Sequence, residues 1–240
     1  MRPITKIQWP LEEGRPKSYN PHTRAKPDLE DHLGCYCCYC EVFSSDLEVE
    51  HVVSRNQDIT LSENWDNFLL ACGRCNGRDN KSNKYVDLVS IHFPHRNNTI
   101  MSFLYEEGGY VKVNPELTGT DSYNHAENLL NLVGLDKVPG NPKYPDLNKN
   151  DSRWRHRREA WEWADKYLPK YKDGRLSAHE IAEFASQKGF FSVWYSVFNI
   201  YDDVKRALIE SFTGTAMICF DVTDGYQPVP RNPHNLNDPI

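Results

Sequence analysis

The sequence predicts an α+β fold, mostly helical, in which a small irregular module with a β-hairpin precedes a helical extension. Three observations carry this expectation. Six of the seven cysteines crowd between residues 35 and 75, around a short β-branched stretch. An alternating stretch with Glu-Gly-Gly at its centre follows near residue 107. Beyond residue 120 the apolar spacing changes to the three-and-four step of amphipathic helices. The division this suggests is an N-terminal arm over 1–30, a module over 31–120, and a helical domain with an extended tail over 121–240.

Each element follows from its own pattern. The arm is rich in Pro, Lys and Arg, lacks periodicity, and reads as extended chain packed on the body. In "LEVEHVVS", alternation and β-branching predict a strand. "SENWDNFLLACGRCN" carries the apolar run Phe68-Leu69-Leu70-Ala71 into a second cysteine pair, and "TIMSFLYEEGGYVKVN" reads as a hairpin turning at Glu-Gly-Gly. "DSYNHAENLLNLVGL" predicts a helix with an Asp or Ser cap and a terminal Gly. After the Pro/Asn-rich linker "KVPGNPKYPDLNKN", "DSRWRHRREAWEWADKYLPKY" predicts a long helix with Trp154, Trp161, Ala164 and Leu168 on one side. Its basic run, Arg153, Arg155, Arg157 and Arg158, reads equally as a solvated helix face or as a nucleic-acid contact. "SAHEIAEFASQKG" is a further helix, and "FFSVWYSVFNIYDDVKRALIESF" reads as one apolar helix at the centre of the C-terminal core.

Composition bounds the function. The 240 residues are 39% hydrophobic and 26% charged, enough chain to bury a sizeable core. No stretch approaches the ~18 apolar residues a membrane helix needs, so no membrane partner is expected. "MRPITKIQWPLEEGRPKSY" has no apolar h-region, which makes the cytoplasm the expected compartment. Paired cysteines there read as metal ligands before disulfides, and the isolated Cys219 reads as a buried small hydrophobe. A net charge of −6 argues against coating nucleic acid by bulk attraction, but leaves room for an enzyme with local positive charge.

The cysteines carry the strongest signal. Two C-x2-C pairs separated by a long loop form a closed tetrahedral zinc site, because each knuckle turns two sulfurs toward one ion. Cys35/Cys38 and Cys37/Cys40 both have this spacing. Cys37 and Cys40 with Cys72 and Cys75 are the preferred set, and zinc would supply much of the module's folding free energy.

Between the knuckles stand Glu50-His51 at a strand end, Asn67 before the apolar run, and Asn76 directly after Cys75. This order resembles the zinc-knuckle branch of the HNH (ββα-metal) endonuclease family, over about residues 35–85. The resemblance implies a metal-dependent hydrolase of nucleic-acid phosphodiester bonds. In it His51 would be the general base. Glu50 and the side-chain oxygen of Asn76 would hold a catalytic divalent ion, most simply Mg2+, and Asn67 would orient His51 by tying down the loop. Arg55, Arg74, Arg78 and Lys81 would hold phosphates. The chain departs from the family pattern in having Asn76 where His is usual, and in the longer step from Asn76 to its first lysine. Asp79 or Asn80 could therefore share the metal.

A wider set of segments, from "LGCYCCYCE" through "HAENLLNLVGL" to "FTGTAMICFD", resembles the HNH nuclease subunit of the Septu anti-phage defence systems, which also accompanies some retrons. That implies a bacterial cytoplasmic nuclease acting with an ABC/SMC-like ATPase subunit, with the helical half as the docking platform. DNA is the favoured target over RNA, a transfer RNA included. The rival from another class is a non-catalytic zinc module that binds a partner or nucleic acid.

Overall fold

In the computed structural model, which describes residues 1–145 and 151–240, the aperiodic N-terminal segment makes few elements of its own. It forms a two-residue hairpin, Leu11–Glu12 with Arg15–Pro16, and a 3-10 turn, His22–Ala25. The segment is nevertheless fixed to the body. Ile4 and Tyr19 are buried, Trp65 Nε1 donates to Ile7 O at 3.0 Å, and Lys6 Nζ donates to Phe68 O at 2.8 Å. Helix α1, Lys26–Leu33, follows, with Pro27 in its first turn, where a missing N–H leaves no hydrogen bond unmade.

The alternation in "LEVEH" becomes strand β1, Leu47–His51, and the apolar run becomes β2, Phe68–Cys72. They pair antiparallel from Leu47↔Cys72 to His51↔Phe68. A single helical turn, α2, Gly73–Asn76, follows β2 directly. The expected hairpin is β3, Phe103–Glu106, with β4, Tyr110–Val113, and both Gly108 and Gly109 take positive φ at its turn. A side chain at Gly109 is also excluded by contact, because its Cβ would lie 2.0 Å from Trp154 O.

Helix α3 spans Asp121–Val133, capped by the Thr120 hydroxyl, one residue before the expected cap, and closed by Gly134 at φ +62°. The long helix α4, Arg153–Lys172, departs from its expected face. Its buried residues are Arg153, Arg157, Ala160 and Ala164, while Trp154 and Trp161 are only half-buried. Two cations can occupy that stripe because carbonyls meet them: Arg157 donates to Gly109 O at 3.0 Å and to Leu135 O at 2.8 Å. Of the four arginines in "RWRHRR", Arg153 and Arg157 are thus structural, while Arg155 is exposed and Arg158 half-buried. The last helices are α5, Ala178–Lys188, opened by a Ser177–Glu180 capping box, then α6, Phe191–Val197, and α7, Asp202–Ser211. The single apolar helix expected over these last residues is therefore two. The break falls at 198–201, where Tyr201 N–H bonds back to Phe198 O, and Asp202 and Asp203 start a fresh helix with acids in its first turn.

Buried side chains form two clusters. One lies among α1, β1, β2, the hairpin and α3; the other lies among α4 to α7. Charged residues tie the clusters together. Arg2 donates to Leu33 O at 2.9 Å and to Phe212 O at 3.0 Å, and the buried Glu41 accepts from Ser192 N–H at 3.0 Å. The tail, after a short pairing of Phe220–Asp221 with Gln227–Pro228, ends with Asp238 bonded to His92, His125 and Ser122. Residues 146–150, the end of the Pro/Asn-rich linker, lie outside the described residues. Among the described residues no helix is long and apolar enough to cross a membrane.

Candidate metal centre and active-site cleft

The sulfurs of Cys37, Cys40, Cys72 and Cys75 all lie within 4.8 Å of one another, and Cys40 Sγ stands 3.6 Å from Cys72 Sγ. Zinc–sulfur bonds of about 2.3 Å at tetrahedral angles put neighbouring sulfurs roughly 3.8 Å apart. A disulfide would need about 2.05 Å. The four cysteines are positioned to bind a metal ion, and the all-sulfur set suits zinc. The chain builds this set from two turns. In the first, Glu41 N–H bonds Cys37 O at 2.9 Å and Cys37 N–H bonds Val42 O at 3.0 Å, with Glu41 at φ +66° to reverse the chain. In the second, Cys72 ends β2 and the one turn of α2 brings Cys75 round to the same side.

Protonation within the cluster is uneven. Burial holds the Cys37 thiol well above the usual range, while hydrogen bonds from Cys37, Cys40 and Cys75 drive Cys72 far below it. A bound cation removes the repulsion that keeps the others protonated. Arg153 Nη1 adds a charge-assisted contact to Cys75 Sγ at 3.3 Å, held in turn by Asp151 and the carbonyls of Val133 and Gly134. The competing pair is elsewhere. Cys38 is buried in the first core with its thiol pushed up to about 11 by desolvation, and Cys35 is half-exposed.

On the far side of β1 from Glu48 and Glu50, a cavity of about 210 Å³ opens beside His51. Its lining includes His22, His51, Ser54, Arg55 and Asn76. His51 Nε2 lies 3.0 Å from Ser62 O. A carbonyl only accepts, so Nε2 carries the hydrogen and Nδ1 keeps its lone pair. Burial, with the nearby Arg55 charge, lowers the His51 pKa, which favours the neutral ring. Asn67 fixes this arrangement. Its Oδ1 accepts from Val53 N–H at 2.7 Å, and its Nδ2 donates to Val53 O at 2.9 Å and Leu61 O at 3.1 Å. The end of β1 is thereby tied to the loop whose next carbonyl, on Ser62, holds the imidazole.

The other expected site residues divide. Asn76 lines the cavity with His51, and its Nδ2 donates to Glu48 Oε2 at 2.7 Å, while its Oδ1 has no partner among the described residues. Glu50 is not a lining residue. It is fully buried, with Tyr39 OH donating to Oε2 at 2.9 Å and Lys81 paired to Oε1. That Oε1 is occupied by the Lys81 ammonium, so a divalent cation could use it only by displacing the lysine. Lys81 was expected to face phosphates. It is instead completely buried and donates to His51 O at 2.6 Å, because its ammonium is the counter-charge Glu50 needs there. Arg55 is exposed at the cleft and Arg78 is exposed beyond it. Arg74 faces a second hollow, with Cys40, Cys72 and His156. Of the two residues considered as extra ligands, Asp79 is exposed and pairs with Arg74 at 3.8 Å. Asn80 is buried, with Nδ2 donating to Arg74 O and Oδ1 accepting from Lys137, so it is already satisfied.

Two residues that line the cleft, and one that holds Asn76 from outside it, have no role assigned from the sequence. Glu48 was signalled by the period of two, which sets it on the same strand face as Glu50. Ser54 sits three residues after His51 in an unremarkable position. His22 comes from the aperiodic arm, and no local pattern points to it.

A ββα unit, a four-cysteine staple and an imidazole at the first strand's end meet in one segment, and the family to which that segment is similar supports a nuclease-type function. Residues 35–82 match the family model of the HNH endonuclease, which covers both knuckles, His51, Asn67 and Asn76. No curated protein matches the chain.

Proposed function

We propose that the chain is a metal-dependent endonuclease that hydrolyses phosphodiester bonds within nucleic acid. The observation that carries this reading is the His51 ring, locked by Ser62 O and by the Asn67-tethered loop, on a polar cavity that it shares with Asn76 and Arg55. His51 Nδ1 takes the proton from an attacking water, and Arg55 attracts the phosphate. A divalent ion held by Asn76 Oδ1 and by Glu50, in place of the Lys81 ammonium now paired with that carboxylate, would supply positive charge for the transition state and the leaving 3′ oxygen, and the oxygen ligands suit Mg2+. Tyr39 and Glu48 orient those two ligands through the hydrogen bonds described above. Zinc holds the loop and takes no part in the chemistry.

DNA is the substrate placed first, and RNA second, since a site that grips the backbone carries little information about the sugar. On the wider sequence resemblance, the chain is the nuclease effector of a Septu-type anti-phage complex in the bacterial cytoplasm. An ABC/SMC-like ATPase restrains or triggers it and docks on the helical half. The test is to incubate the purified zinc-loaded chain, alone and with any co-purifying partner, with Mg2+ and both DNA and RNA. Cleavage that needs Mg2+ and leaves 5′ phosphates supports the reading. No cleavage of either polymer in any combination contradicts it and favours a binding module. A pull-down from the native host that recovers no ATPase counts against the complex alone.

A further inference from the structure

The cleft has a wall that lies outside the family-matched segment. His22 precedes residues 35–82, yet its ring centroid is 4.6 Å from that of His51, with the planes tilted by 51°. Phe68 braces both rings, edge-on to His51 at 5.2 Å and tilted to His22 at 6.4 Å. The position is therefore held by packing. Beside it, Ser54 is 4% exposed and lines the same cavity, and its Oγ has no hydrogen-bond partner among the described residues. A buried hydroxyl without a partner costs about 1–3 kcal/mol. Such an atom at the wall of a polar cavity points to something that enters and accepts from it.

A phosphodiester brings two anionic non-bridging oxygens and no hydrogen to donate, so it needs donors on more than one side. His51 cannot serve as one while it acts as base, since its single N–H is engaged by Ser62 O. Arg55 and Asn83 are exposed at the rim and Ser82 is half-buried, whereas the Ser54 hydroxyl is buried and the His22 imidazole stands against the His51 ring, so these two are the donors set beside the base.

We propose that His22 and Ser54 bind the non-bridging oxygens of the scissile phosphodiester, which makes the N-terminal segment part of the substrate site. This assignment rests on the cleft being a phosphodiesterase site. It makes the reacting phosphate span two parts of the chain, the arm and the ββα unit, and it explains why an aperiodic segment is fixed so firmly against β2.

The test uses the zinc-loaded full chain and two probes that need no sequence knowledge: bis(p-nitrophenyl) phosphate as a diester substrate with Mg2+, and inorganic phosphate as a ligand. His22→Ala and Ser54→Ala should each raise the KM for the diester and weaken phosphate binding, by roughly ten- to a hundredfold. His22→Gln, which keeps an N–H donor, should recover much of the loss, and melting temperature and zinc content should stay at wild-type values in all three. In NMR spectra of the histidine rings, inorganic phosphate should shift the His22 signals in the wild type and shift them less in Ser54→Ala. This arm reads out even if the chain alone does not turn over.

Unchanged KM and phosphate affinity in both alanine variants would overturn the assignment, as would equal losses in His22→Ala and His22→Gln together with lower melting temperatures. Failure of the phosphodiesterase reading has its own signature: the wild type neither hydrolyses the diester nor shows phosphate shifts at His51. A wild type that does both, with His22 variants indistinguishable from it, removes only the present inference.

Discussion

The cysteine cluster and the imidazole cleft sit at opposite ends of the same two strands, and they solve opposite problems. The cluster is closed. Its sulfurs are packed at tetrahedral spacing, three of the four residues are buried, and Arg153 covers Cys75. The cleft is open and incomplete: among the described residues, Ser54 Oγ is buried without a partner and Asn76 Oδ1 has none. A site whose groups all satisfy one another holds a fold together. A site that leaves donors and acceptors unmatched pays that energetic penalty so that a substrate can match them.

This contrast can be broken, most severely at the cluster. Cys72→Ser, or a strong chelator, should unfold the ββα unit, because structural zinc contributes about 10–16 kcal/mol in small metal-dependent domains against a typical domain stability of about 5–15 kcal/mol. Circular dichroism and metal content measured together check this, and an apo chain with an unchanged melting curve would place the stability elsewhere.

Next in size is Glu50→Gln. It leaves the Lys81 ammonium buried without its counter-charge, which costs about 3–5 kcal/mol, and it removes the carboxylate assigned to Mg2+. Chemical denaturation should show the first loss, and a higher Mg2+ requirement in any remaining activity should show the second.

A smaller effect concerns pH. His51 works as a base only when neutral, and burial lowers its pKa, so activity should fall with acidity only below the ordinary histidine value of about 6.5. Arg55→Gln removes one of the charges that lowers it, and the acid limb of kcat/KM should move upward. A limb that stays fixed would detach Arg55 from the His51 environment.

The smallest effect lies away from both sites. Hydrogen bonds from His92, His125 and Ser122 hold the Asp238 carboxyl at about 2, after partial opposition by desolvation. Because the folded value is depressed, the stabilisation is complete above the ordinary value of 3.8 and is lost as pH falls through about 2. Asp238→Asn should lower the melting temperature at neutral pH by about 2–4 °C for each kcal/mol lost, with the difference closing in strong acid.

Much of this was legible from local pattern. The C-x2-C spacing marks the cluster, alternation marks β1, Glu-Gly-Gly marks the hairpin, and acid-His at a strand end marks the cleft. What could not be read depends on contacts far apart in sequence. Lys81 looked like a surface cation because lysines default to solvent, and only the buried Glu50 draws it inward. Arg153 and Arg157 looked like a basic face until the carbonyls of α3's end and the hairpin turn gathered round them. Residues 198–201 are as apolar as their neighbours, so periodicity alone could not show that α6 stops there. His22 has no motif at all; tertiary packing against Phe68 gives it a place.

The most direct measurement of the central claim is His51→Ala, assayed in parallel for zinc content, melting temperature and Mg2+-dependent cleavage. With the cysteine cluster as scaffold and the imidazole as base, zinc and melting temperature should match the wild type while cleavage falls by about 10²- to 10⁴-fold. Cleavage equal to the wild type in a fully zinc-loaded, folded variant would contradict the account.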